Sequence, residues 1–133
     1  MPDLTAFVPK TRVELEHICG NLVPGHVFLV SELTVDAHAI RVRYNLAPPL
    51  PKSATGKPSV FWVVEAVDNL GNRYQDAGGA YGLSADGRKT RGVLSLSPVI
   101  IQLAISLEVT VTASLAATGE EHRCSFTVYL PSA

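Results

Sequence analysis

Apolar and polar residues alternate along most of this chain with a period of two, and no stretch carries a helical period over its length. Residues 12–19 alternate for most of their span and predict a half-buried strand. Residues 26–35 predict a second strand, apolar in its first half. Residues 38–46 place Ile40, Val42, Tyr44 and Leu46 on one face and Arg41, Arg43 and Asn45 on the other. Residues 60–67 are apolar on both faces, with Phe61, Val63 and Val67 opposite Trp62, Val64 and Ala66. That predicts a central strand covered on both sides over part of its length, with Trp62 at the core. A short strand follows at residues 73–75, and another at residues 90–97 that Pro98 ends. Residues 101–113 alternate in their second half, Leu107, Val109 and Val111 against Glu108, Thr110 and Thr112. Residues 122–130 close the chain, with Cys124, Phe126, Val128 and Leu130 on one face.

The breaks between these runs carry turn chemistry. Residues 1–11 read as an irregular lead-in, leaving residues 12–133 as one domain. Residues 20–25 read as a loop, and residues 36–37 as a tight reversal or bulge. Residues 47–58 hold four of the nine prolines, which remove ladder donors, so they predict a crossover between two sheets. Asp68-Asn69-Leu70-Gly71-Asn72 is a hairpin turn that Asn and Gly make with little strain. Residues 78–88 contain four glycines and predict a loop; residues 118–120 predict a further turn. About seven to eight short antiparallel strands at this spacing predict an all-β, immunoglobulin-like Greek-key β-sandwich, favoured over a closed barrel by the crossover loop. Two apolar faces would bury each other.

Composition narrows the classes of function. The 133 residues are one domain's worth, 47% apolar and 17% charged, below the roughly 25% charged of an average globular chain. A net charge of −1 offers no footprint for nucleic acid or for an anionic membrane. No apolar run approaches the ~20 residues of a membrane span. The start shows no basic segment followed by an apolar one, so the expected location is cytoplasmic as written, and extracytoplasmic if a leader has been trimmed. Cys19 and Cys124 have no partner at metal-ligand spacing and read either as small buried apolar residues or as a disulfide. The first and last strands of such a sandwich often lie side by side, where two thiols meet. Without a secretion signal the compartment expected is a reducing one.

Catalytic signatures are missing. His17, His26, His38 and His122 form no HxH, HExxH or HxxxH pair, although strand pairing can bring His17 near His122. No GxSxG elbow occurs. His17 and His122 each stand two residues from a cysteine on the same strand face, roughly 6–7 Å away, too far for thiolate–imidazole contact. Asp68, Asp76 and Asp86, with Asn69 and Asn72, supply oxygen ligands of the kind Ca²⁺ takes, yet their spacing matches no calcium loop and suits turns as well. The glycine loop lacks a following Lys-Ser/Thr and a helix, so it does not read as a phosphate loop. Arg41, Arg43, Arg73, Arg88 and Arg91 read as a solvated, salt-bridged face. No cofactor is implied. The candidate binding surface is Asn69, Asn72, Arg73 and Tyr74 at the hairpin, with Tyr81 in the glycine loop.

Asp68-x-Leu70-Gly71-x-x-Tyr74, followed by Gly78-Gly79 and a strand ending at Pro98, resembles a pattern of small bacterial Ig-like domains of unknown function. The resemblance covers residues 60–112. It implies a sandwich fold and no catalytic residue. The function expected is therefore a non-catalytic binding or interaction module with a protein partner. A structural, homo-oligomerising domain is the alternative, and a small metal-dependent enzyme using the His and Asp loops is the third reading.

Overall fold

The period-two pattern is realised as eight strands: β1 (Thr11–Cys19), β2 (Val27–Val35), β3 (Ile40–Ala47), β4 (Val60–Asp68), β5 (Arg73–Leu83), β6 (Thr90–Ser97), β7 (Ser106–Leu115) and β8 (Glu121–Tyr129). They come from a computed structural model that describes residues 11–20, 22–36, 38–50, 59–99 and 104–130. Thr11 already belongs to β1; the rest of the expected lead-in, and residues 51–58 of the proline-rich crossover, lie outside the described residues. No helix among the described residues is long and apolar enough to cross a membrane.

All strands are antiparallel and pair in the order β1-β2-β3-β6-β5-β4-β7-β8. β4, β5 and β6 are consecutive neighbours and β7 returns beside β4, which is the Greek-key order. The pairing does not divide into the two separate sheets that the pattern suggested. One eight-stranded sheet runs through β5 and bends round until it is nearly closed, like a barrel.

The cause is local to β5. Its first residues pair with β4 (Arg73 with Val67, Gln75 with Glu65), and the rest pairs with β6 as far as Leu83 opposite Thr90. The register slips between Asp76 and Gly79, a β-bulge, and Gly78 takes a φ of 103° there, a conformation that a side chain would disfavour. Bulges bend strands, and this one lies just past Gln75, which pairs with β4 and β6 at once and is the last residue of β5 to pair with β4. The segment expected as a glycine loop is thus strand as far as Leu83, and the true turn spans residues 84–89.

Inward residues of both arms of the bent sheet meet in one core that includes Phe28, Val30, Val42, Leu96, Leu107 and Val109, all fully buried. Each such side chain contributes roughly 1.5–3 kcal/mol by leaving water. Phe28 and Tyr44 stack in the interior with ring centroids 4.7 Å apart, and Trp62 packs tilted against Tyr44 at 5.3 Å. Trp62 thus packs on the core, but only half-buried, at its edge. β4 is not covered on both faces: Phe61 is 53% and Val63 50% exposed. β1 and β8, the outermost strands, meet at a disulfide between Cys19 and Cys124, Cα atoms 6.2 Å apart.

Candidate functional site

The β4–β5 turn is built around one carboxylate. Asp68 Oδ1 accepts hydrogen bonds from the backbone N–H groups of Leu70 (2.9 Å) and Asn72 (3.0 Å). Its Oδ2 accepts from the Asn72 amide (3.0 Å) and the Tyr74 hydroxyl (2.7 Å). Burial pushes the Asp68 pKa up, but the donors from Tyr74, Asn72 and Leu70 together outweigh it and hold the carboxyl below its ordinary value. Asn69 Oδ1 accepts from the N–H groups of Ile105 (2.8 Å) and Ser106 (3.3 Å), which ties the turn to the start of β7. Three of the five expected contact residues are therefore engaged inside the turn. Tyr74 is buried, Asn69 and Asn72 are bonded to their neighbours, and Arg73 and Tyr81 remain exposed.

The three aspartates do not assemble. Asp76 accepts from Val64 N–H at 3.0 Å and Gly78 N–H at 2.7 Å, so it braces the bulge. Asp86 accepts from the Ser84 hydroxyl at 2.6 Å and Arg88 N–H at 3.1 Å, bonds that lower its pKa, the Ser84 bond foremost. None belongs to a group of potential metal ligands among the described residues. Of the arginines, Arg41 pairs with Asp36 at 2.6 Å and Arg43 with Glu32 at 3.6 Å. His122 contacts Glu120 at 3.2 Å, while His17 approaches Cys124 Sγ at 3.7 Å across the strands.

The departure of β5 from β4 leaves an opening. β4 pairs with β5 only over residues 65–67, so its first half has no strand on that side among the described residues. A cleft of about 190 Å³ fills the gap. Phe61 and Trp62 of β4 form one wall, Gly78, Ala80 and Tyr81 of β5 the other, and Tyr44 lies at the base. Tyr44, Gly92 and Tyr81 are directly opposite one another on β3, β6 and β5. A Cβ at Gly92 would overlap the Tyr44 ring, so the absent side chain is what lets that ring lie flat over β6.

Two polar atoms on residues that line this cleft stand out. The Tyr44 hydroxyl and the Trp62 Nε1 are both buried, and neither has a hydrogen-bond partner among the described residues. Tyr44 as a whole is only 2% exposed. Burial raises its phenol pKa, and the nearby Tyr81 adds to the shift, so the group stays protonated and can donate. Indole N–H only donates. A buried donor left unsatisfied costs roughly 1–3 kcal/mol, so two on neighbouring lining residues mark the region out. Tyr81, 42% exposed, forms the rim. The sequence singled out Tyr81 and placed Trp62 in the core, but gave no sign that Tyr44 or Trp62 would keep a free donor.

Compared with protein families and with curated proteins, the sequence matches none. Among solved structures it is similar to the conserved domain protein from Bacillus anthracis, with a TM-score of 0.57 and 16% identity. That likeness covers 90% of this chain and 49% of the neighbour, so this chain spans about half the length of that protein. At such identity the likeness speaks for the fold alone.

Proposed function

We propose that this chain is a non-catalytic binding module with an immunoglobulin-like sandwich fold, and that the β4–β5 cleft takes part of a protein partner. The Greek-key order and the two facing arms of the sheet support the fold reading. The paired free donors Tyr44 Oη and Trp62 Nε1 carry the functional one. Size decides the kind of ligand. Small-molecule sites run from roughly 300 to 1,000 Å³. A cleft of about 190 Å³ suits a single side chain, one with an acceptor oxygen for the donors and a flat or apolar part for Tyr81.

The chain has one tryptophan, so its indole N–H gives a single resonance in a ¹⁵N spectrum. Acetamide and acetate, as side-chain mimics, are titrated against it. A saturable shift of that resonance, weakened in Tyr44→Phe, is the expected result. An indole resonance that neither probe moves sinks the cleft as the binding site.

One observation favours the homo-oligomer as a second reading. Phe61 and Val63 stand exposed on the outer face of β4, opposite Ser114 and Thr112 of β7, whose small side chains leave that face open. A concentration-independent monomer in light scattering rejects it.

A further inference from the structure

None of the residues at the meeting of β1 and β8 lines the cleft, and they form a site of their own. His17 and Cys19 stand two apart on β1, and Cys124 faces them from β8. We propose that, once the Cys19–Cys124 disulfide is reduced, His17, Cys19 and Cys124 together bind one Zn²⁺ ion. One ligand atom from each lies within 4.8 Å of the others.

The distances favour a tetrahedral ion. Zinc holds thiolate sulfur at ~2.3 Å and imidazole nitrogen at ~2.0–2.1 Å, so two such ligands at a tetrahedral angle lie about 3.6 Å apart. His17 Nε2 and Cys124 Sγ are 3.7 Å apart. The imidazole is held there by stacking on Phe126, ring centroids 5.0 Å apart, so this edge of the coordination shell is built before any ion arrives. The sulfurs must separate to about 3.8 Å by the same geometry. With Cα atoms 6.2 Å apart, side-chain rotation supplies that movement. Thiolate and imidazole select zinc over calcium or magnesium. Three protein ligands leave a fourth position for water.

The chemistry balances with a dithiol as reductant. Two electrons and two protons pass to the disulfide, giving two thiols, and the dithiol closes to its own disulfide. Zn²⁺ then displaces the two thiol protons. The ion takes over the bridge between the outermost strands, so β1 and β8 stay linked through Cys19 and Cys124 under oxidising and reducing conditions alike.

The test compares oxidised protein with protein reduced anaerobically, using a chromophoric chelator to compete for Zn²⁺ and Co²⁺ as a spectroscopic stand-in. Expected are one ion per chain in the reduced protein, none in the oxidised, and a thiolate-to-cobalt charge-transfer band. His17→Ala, which keeps both cysteines, should weaken zinc by more than roughly 10-fold. Should reduction alone unfold the chain, zinc is expected to restore its β circular dichroism. A reduced protein that takes up no zinc, zinc that fails to restore lost structure, or equal affinity in His17→Ala overturns the site.

Discussion

The Tyr74 hydroxyl donates to the Asp68 carboxylate at 2.7 Å, and both residues are buried. The bond joins the last residue of β4 to the second residue of β5, so it fixes how the hairpin leaves the sheet. It also raises the Tyr74 pKa, burial first and the carboxylate second, and so keeps the phenol a donor. A hydrogen bond to a charged group is worth roughly 1.5–3 kcal/mol. Tyr74→Phe keeps the ring and should lose about that much in a urea melt. Asp68→Ala removes the acceptor of four bonds and should lose more. A Tyr74→Phe protein within ~0.5 kcal/mol of the parent would show that the hydroxyl does not hold the turn.

Asp68 and Asp36 make stability depend on acid. Asp36 accepts backbone N–H groups of His38 (2.8 Å) and Ala39 (3.0 Å) and the Arg41 guanidinium, and these lower its pKa from 3.8 to about 2. Asp68 is likewise lowered. A carboxyl depressed in the folded state contributes stability that is fully present above its unfolded pKa, ~3.9, and is lost as pH falls through the folded value. The urea midpoint should therefore hold steady from neutral pH down to about 5 and then fall as the pH approaches about 2. Asp68→Asn and Asp36→Asn should each be less stable at pH 7 and show a shallower acid slope. An unchanged slope in both variants refutes the assignment.

The strands were legible because an antiparallel strand with one buried face must alternate, as Ile40 to Leu46 does. The hairpin at residues 68–72 was legible because Asn and Gly suit that turn. The extent of β5 was not. Gly78, Gly79, Ala80 and Gly82 have no alternation to read, and only pairing with β6 makes them a strand. The same long-range step hides the continuous sheet, since no local signal says that β5 changes neighbours. The cleft was out of reach for a related reason. Tyr44 and Trp62 sit on the inward side of their strands, as core aromatics do. Whether their polar atoms find partners depends on what distant strands set beside them. The approach of His17 to Cys124 is likewise a contact between the two outermost strands, invisible to spacing along the chain.

Gly92 and Gly82 lie on neighbouring strands yet should respond differently to a methyl group. At Gly92 a Cβ would run into the Tyr44 ring, whereas at Gly82 nothing lies within 4 Å. Overpacking of a filled interior costs typically ~1–3 kcal/mol, and an unconstrained surface change stays within ~0.5 kcal/mol. Gly92→Ala should therefore destabilise clearly and shift the environment of the lone tryptophan, which packs on Tyr44. Gly82→Ala should be close to neutral. Fluorescence-detected denaturation reads both effects in one experiment, and equal midpoints for the two variants reject the packing of Tyr44 over Gly92.

The Cys19–Cys124 bridge joins residues 105 apart in sequence, so it restricts nearly the whole unfolded chain. Loop closure of that length removes denatured-state entropy worth about 4–5 kcal/mol in the chain-entropy account, and native disulfides commonly contribute ~2–5 kcal/mol. The Cys19→Ala, Cys124→Ala double variant, measured in urea with chelator present, should lose stability within that range. Its dependence on urea should also be steeper, because an uncrosslinked chain opens further and exposes more surface. Thiol titration of the parent under denaturing conditions should find no free cysteine before reduction. If the thiols titrate without reductant, or if parent and variant unfold at the same urea concentration, β1 and β8 are held together by packing alone.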